Sequence, residues 1–158
     1  MKSLLAMRVA REEDAADLVR LINAAFEVER PIFGGDRIDR DGVLAYLRNG
    51  KFLLAEDAGG LAGCVYGERR GLNGYVGLLS VDPARQRTGL GRKLMEAVED
   101  FFREQGCKKV ELRVVSARTP LPAFYRHLGY RETGTEALPA EVKPKVPCHF
   151  QYMTKTIL

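Results

Sequence analysis

From Val81 to Leu94 the chain reads Val-Asp-Pro-Ala-Arg-Gln-Arg-Thr-Gly-Leu-Gly-Arg-Lys-Leu. A β-branched apolar run stops at Pro83, a basic glycine-spaced turn follows, and a segment with helical spacing begins at about Gly89. The first turn of any helix carries N–H groups without an intrahelical acceptor, and the macrodipole adds positive character there. Gly89 and Gly91 have no Cβ, so a ligand can approach the backbone closely. Arg85, Arg87, Arg92 and Lys93 surround the same point. This is a turn suited to holding a phosphate or pyrophosphate.

Two familiar phosphate motifs do not fit. A Walker A loop needs Gly-x-x-x-x-Gly-Lys-Ser/Thr, which is not present. A dinucleotide fingerprint needs a third glycine where this chain has Leu94. What the turn does contain is Gln-x-x-Gly-x-Gly, as Gln86, Gly89 and Gly91, preceded by Leu-Leu-Ser-Val-Asp-Pro (Leu78 to Pro83) and followed by Ala-Phe-Tyr-Arg-His-Leu-Gly-Tyr (Ala123 to Tyr130). In order and spacing these segments resemble the GCN5-related N-acetyltransferase (GNAT) family. The resemblance is clear from about Val76 to Gly134 and says nothing of the substrate.

The resemblance implies acetyl-CoA as cosubstrate, with no metal, and acyl transfer to the amine of a small-molecule or peptide acceptor by direct attack. Such chemistry must hold the pyrophosphate, polarise the thioester carbonyl and protonate the departing thiolate. The first task falls to the backbone of Gln86, Arg87, Thr88, Gly89, Leu90, Gly91 and Arg92; the bland alternative is a helix start ringed by solvated arginines. By the resemblance, Leu79, Ser80 and Val81 offer backbone groups to the pantetheine arm, and one preorganised N–H facing a developing oxyanion is worth about 3 kcal/mol. These residues are also good core-strand residues, and both roles are compatible. The family's general acid corresponds to Tyr125, which shares an apolar stripe with Leu121 and Leu128. A phenol titrates near 10 and a thiol near 8.5, so a neutral tyrosine can donate to a thiolate; the alternative is a core tyrosine with a satisfied hydroxyl.

One position departs from the pattern. Seven residues before that tyrosine the family often has Asn and this chain has Arg118, with Pro120 and Pro122 beside it. An ammonium acceptor must also lose a proton. Glu27, Glu29, Glu68 and His149 are candidates by type and location, Glu27 and Glu29 because they end the first helix near the loop that shapes the family's acceptor site. Solvated carboxylates, a structural histidine and direct release to water are the alternatives. A non-catalytic acyl-CoA-binding or sensor domain, and transfer of another acyl group or to a hydroxyl, are the rival functions.

The elements that must position these residues follow from period and punctuation. Strands are expected at Leu4–Val9, Phe52–Glu56, Leu61–Arg69, Tyr75–Val81, Val110–Val115, Tyr130–Glu136 and Cys148–Thr156, with Asp57-Ala58-Gly59-Gly60 as a hairpin turn. Helices are expected at Glu12–Phe26, Asp41–Arg48, Gly89–Gln105 (buried stripe Leu90, Leu94, Val98, Phe101, Phe102) and from Pro120 to Gly129. Arg30–Arg37 and Leu138–Pro147 read as loops. The expected class is α/β (α+β) in one domain over residues 1–158. The family resemblance adds a mostly antiparallel sheet splayed at one parallel pair and flanked by about four helices.

Composition bounds the rest. The 158 residues are 46% hydrophobic and 29% charged, with a net charge of +4. A chain of this size buries about 70% of its unfolded surface. The basic residues are scattered or gathered near the glycine turn, which argues against nucleic acid as a partner. No apolar run approaches the roughly 20 residues of a membrane span, and the N-terminus reads as a strand rather than a signal peptide. Cys64, Cys107 and Cys148 form no Cys-x-x-Cys pair, as expected of reduced thiols in a cytoplasmic protein. Homodimerisation through the last strand is left open.

Overall fold

The computed structural model describes residues 5–158; Leu4, placed in the first expected strand, lies outside them. In chain order the elements are β1 (Ala6–Val9), α1 (Ala15–Ala25), α2 (Arg30–Phe33), α3 (Arg40–Asn49), β2 (Lys51–Asp57), β3 (Gly60–Arg70), β4 (Asn73–Val81), α4 (Leu90–Glu104), β5 (Lys109–Val115), α5 (Pro120–His127), β6 (Arg131–Glu136) and β7 (Phe150–Thr156), with short 3-10 turns at Glu12–Asp14, Glu27–Glu29 and Pro83–Arg85. The strands form one sheet in the order β1-β2-β3-β4-β5-β7-β6. Every neighbouring pair is antiparallel except β4 and β5.

That exception shapes the molecule. The parallel ladder consists of Asn73↔Lys109, Gly74↔Val110 and Tyr75↔Glu111, and the strands then part. The cause lies in β4. Cys64 pairs with Ser80 but Tyr66 pairs with Gly77, so Leu78 and Leu79 together face Val65 as a bulge. Leu78 takes a left-handed φ of 51°, rare for a leucine. A bulge bends its strand and sharpens its twist, which carries the end of β4 away from β5.

Helices cover the sheet unequally. On one face α4 lies across β2, β3 and β4, and its Leu94, Val98 and Phe102 are fully buried with Val65, Val110, Leu112 and Met153. Glycines admit it: a side chain at Gly74 would run into the Phe102 ring, and one at Gly67 would stand 2.9 Å from a Val98 methyl. On the other face α1 and α3 bury Leu18, Ile22 and Val43 against Phe52, Leu54, Cys64 and Tyr66. Neither helix reaches β5, β7 and β6, where Lys109, Arg113 and all of β6 are exposed.

The structure amends several expectations. Arg30–Arg37 contains a helical turn, α2, with Pro31 in its first turn, where a missing N–H costs nothing. In α4, Phe101 is only half-buried, whereas Met95 and Glu99 complete the stripe; Glu99 is tolerated because Tyr130 and Lys155 satisfy it. β7 begins at Phe150, leaving His149 exposed in the preceding loop. As an inner strand β7 has both edges paired, so the sheet edge on that side is β6. Five α-helices, one of them a single turn, flank the sheet among the described residues, where about four were expected.

Candidate active site

The glycine turn is built from local backbone geometry. Arg87 (φ 67°) and Gly89 (φ 80°) both take left-handed conformations, and Gly89 caps α4 without a side-chain partner. Alternating backbone handedness of this kind turns successive N–H groups toward one point. Among the described residues the N–H groups of Gly89, Leu90, Gly91 and Arg92 have no acceptor, the first helical bond at this end being Lys93 N–H to Gly89 O at 3.2 Å. Gln86, Arg87 and Thr88 are exposed, with Thr88 Oγ1 donating to Arg85 O at 2.7 Å. Arg92 is exposed beside Glu96. Leu90 turns its side chain into the core. Arg85, expected among the anion-facing cations, is committed elsewhere: it donates to both Asp57 oxygens at 2.7 Å and pairs with Asp82. It fastens the turn to the β2–β3 hairpin.

Near that turn a cleft of about 570 Å³ follows the gap between β4 and β5, a volume typical of small-molecule sites. Phe124 connects the two: it lines the cleft and stands 3.4 Å from where a Gly91 side chain would begin. Leu78 and Leu79 line the cleft, and beyond Tyr75 β4 has no partner on the β5 side. The bulge is braced from within. Ser80, buried, donates from Oγ to Leu78 O at 2.9 Å, and the Cys64 thiol reaches the same carbonyl at 3.8 Å. Burial pushes that thiol up to about 12, so it stays protonated and unreactive. The Ser80 side chain therefore serves the strand, and Val81 packs partly against the α4 core.

Tyr125 comes to the cleft on α5. It is 7% exposed and sits edge-on between Phe124 (centroids 5.0 Å apart) and Tyr130 (5.8 Å). Tyr130 is itself fixed, donating to Glu99 at 2.9 Å, and Glu99 also accepts from Lys155 at 2.8 Å. No fully sealed side-chain nitrogen or oxygen lacks a partner among the described residues. The Tyr125 hydroxyl makes no hydrogen bond there, so it is not fully sealed, and Tyr125 lines the cleft. Burial holds its pKa well above the ordinary tyrosine range, opposed in part by the positive charge of Arg118.

The acceptor candidates separate. Glu29, only 7% exposed, lines the cleft and accepts from Arg118 at 3.0 Å. Arg118, the departure from the family pattern, thereby ties the loop before α5 to the turn after α1. Glu27 pairs with Arg30 at 2.8 Å on the surface and does not line the cleft. Glu68 is held by Tyr66 and Arg70, and its carboxyl lies below the usual range, with burial opposing those bonds. Glu68 and His149 both lie outside the cleft lining. The loops Glu27–Arg37 and Leu138–Pro147 do meet: Lys145 N–H donates to Ile32 O at 2.6 Å, and Leu138, Pro139 and Val142 join the lining. Sequence reasoning missed Phe26, Arg37, Tyr75, Arg113 and Phe150, which carry no motif and become neighbours only across the splayed sheet.

The donor set fits acetyl-CoA. Free helix-terminal N–H groups suit a pyrophosphate, and the open β4 edge, which lines the cleft, suits an amide-bearing arm. No group of three or more His, Cys, Asp or Glu residues is placed to hold a metal among the described residues, and none of their helices is long and apolar enough to cross a membrane.

Comparison with known proteins agrees. The model of the acetyltransferase (GNAT) family matches residues 15–130, and the chain belongs to that family. The mycothiol acetyltransferase of Clavibacter sepedonicus is 36% identical over 129 residues, covering 78% of this chain and 42% of that protein. That of Clavibacter michiganensis subsp. michiganensis is 32% identical over 139 residues, covering 86% and 45%. The chain thus spans less than half the length of these curated relatives. Among solved structures, Ard1 from Thermoplasma volcanium superposes with a TM-score of 0.81 at 20% identity, covering 98% of both chains. The yncA protein of Salmonella typhimurium with its cofactor acetyl-CoA gives 0.76 at 22% identity, covering 98% of this chain and 94% of that one. At such identities the likeness is one of fold.

Proposed function

We propose that the chain is an acetyl-CoA-dependent N-acetyltransferase that moves an acetyl group directly to a primary amine. The observation that carries this reading is adjacency: four N–H groups at the start of α4, without acceptors among the described residues, lie beside Phe124, which lines a cleft that also holds Tyr125 and the unpaired stretch of β4 at Leu78 and Leu79. Acetyl-CoA, when bound, supplies the electrophilic thioester. The Gly89–Arg92 amides hold its pyrophosphate, and Leu79–Val81 hold its arm by strand addition. The acceptor's amine lone pair forms the C–N bond as the C–S bond breaks. The ammonium gives one proton to water or to Glu29 before attack and the nitrogen loses a second to water as the amide forms, while Tyr125 gives its proton to the departing sulfur and regains one from solvent. Burial favours this exchange, because the dry cleft that keeps Tyr125 neutral also raises the basicity of a thiolate. The relatives' names support acetyl transfer as the reaction class.

Calorimetric titration with acetyl-CoA, CoA and ATP tests the reading. Both CoA species should bind and ATP should not. Gly89→Trp should abolish binding, since it places a bulky side chain at a left-handed position in the turn itself. Failure of either CoA species to bind the unaltered protein would exclude the proposal. Binding without thiol release, across a wide amine panel, would favour the acyl-CoA-sensor alternative.

A further inference from the structure

Charges on the α1 side of the cleft do not balance. The ionised residues lining it are Glu29, Arg30, Asp36, Arg37, Arg113 and Arg118. Both acids are already engaged: Glu29 with Arg118 at 3.0 Å, and Asp36 with Arg30 at 2.7 Å. Arg30 also meets Glu27 at 2.8 Å. Neither of the other two arginines has an acidic partner within the cleft. Arg113 has Glu136, outside the cleft, at 3.5 Å, and its guanidinium lies 3.9 Å above the Phe150 ring. Arg37 has no acidic partner among the described residues, and its guanidinium is 5.5 Å from the centre of the Phe26 ring.

Neither cation is placed for the cofactor's phosphates. Leu112 and Val114 of β5 pack in the α4 core, so the alternating Arg113 projects from the opposite face, away from the helix that presents the glycine turn. Arg37 lies on the connection between α2 and α3, next to Ile38, which packs with α3 on that same opposite side. A guanidinium stacked on an aromatic face keeps its N–H edge for a planar anion, and a carboxylate takes two parallel bonds from it. An acceptor with only an ammonium would instead meet the unpaired Arg37 and an Arg113 whose one acidic partner, Glu136, lies outside the cleft.

Building on the acetyl-transfer reading, we propose that the acceptor carries a carboxylate as well as its amine, and that Arg37 and Arg113 select it. Its class is that of an amino acid with an apolar body, which would lie against Phe26, Tyr75 and Phe150. The same positive field favours the neutral, nucleophilic form of the amine. Polyamines and lysine-rich peptides are disfavoured on charge.

The test compares phenylalanine with phenylalaninamide and phenethylamine, and leucine with leucinamide. Each is titrated calorimetrically into CoA-saturated protein and followed for thiol release with acetyl-CoA. The acid of at least one pair should bind about 10-fold more tightly than its uncharged-end counterpart, as expected for charge-assisted hydrogen bonds. Arg37→Gln and Arg113→Gln should each raise KM for that acid by about 10-fold, with a smaller change in kcat and little change for the amide. Lysine at either position should restore part of the preference. Equal or tighter binding of the amides, a preference that survives in the double variant, or no binding by either acid would overturn the proposal. Acetyl-CoA titration keeps the readings apart. A protein that binds acetyl-CoA but ignores the carboxylate loses only this inference, whereas one that does not bind acetyl-CoA loses the acetyl-transfer reading beneath it.

Discussion

The two faces of the sheet solve different problems. Beneath α4, glycines at 63, 67 and 74 bring the helix down onto the strands, and Phe102, Val98 and Leu94 fill the contact completely. On the other face α1 and α3 cover β2 to β4 and stop, leaving β5, β7 and β6 with charged and hydroxyl side chains in the open. The tight face fixes the glycine turn, since α4 cannot shift without a clash. The open face leaves room for an acceptor and lets loops from distant parts of the chain supply its walls. Close packing thus lies beneath the glycine turn, and open space lies beside β5.

The largest effect should come from breaking the tight face. Phe102→Ala removes a fully buried ring that occupies the space left by Gly67 and Gly74. A loss of about 3–5 kcal/mol is expected in urea unfolding. Next is the junction of the two faces. Tyr125→Phe keeps the ring packing and removes one hydroxyl, so kcat should fall about 100-fold or more, while calorimetric affinity for acetyl-CoA changes little. An unchanged kcat would exclude the general-acid role.

The link across the cleft should matter less. Arg118→Gln leaves Glu29 buried without its cation and should cost about 1–2 kcal/mol, below the range for fully buried pairs because Arg118 is partly exposed. Glu29→Gln in the same background should recover part of that loss in a double-mutant cycle. Additive losses would mean the pair contributes no coupling. Smallest is the pair at the outer strand. Arg8 donates to both Asp14 oxygens at 2.7 and 2.8 Å and, with the Arg11 N–H, holds that carboxyl at about 2 despite some burial. Its folded value lies below the unfolded one, so its stabilisation is present above pH of about 4 and drains away as pH falls toward 2. Asp14→Asn should cost about 0.5–1 kcal/mol at pH 7, since Arg8 is partly solvated, and should flatten the acid limb of stability against pH. An unaltered acid limb would assign the pH dependence to other carboxylates.

Much of the tight face was legible in the residues. The motif from Gln86 to Gly91 is contiguous, its glycines have a local conformational reason, and the apolar period of α4 is regular enough to place Leu90, Leu94, Val98 and Phe102. Even so, Arg85 was misread, because its partner Asp57 lies 28 residues away in another hairpin. The open face was legible only as two unlabelled segments, Glu27–Arg37 and Leu138–Pro147. Glu29 and Glu27 look alike in sequence. A turn of backbone puts one in the cleft beside Arg118 and leaves the other on the surface with Arg30.

The sequence by itself determined the strands, the helices other than α2, the glycine turn and the family, because period, capping and glycine placement act over a few residues at a time. Only the tertiary structure decided where β4 leaves β5, that Tyr125 comes to the cleft with an unbonded hydroxyl, and that Arg37 in the cleft is left without an acidic partner among the described residues. Those outcomes depend on the bulge at Leu78 and on ion pairs between residues far apart in the chain. Such long-range contacts form only when the whole sheet has assembled, and no local pattern encodes them.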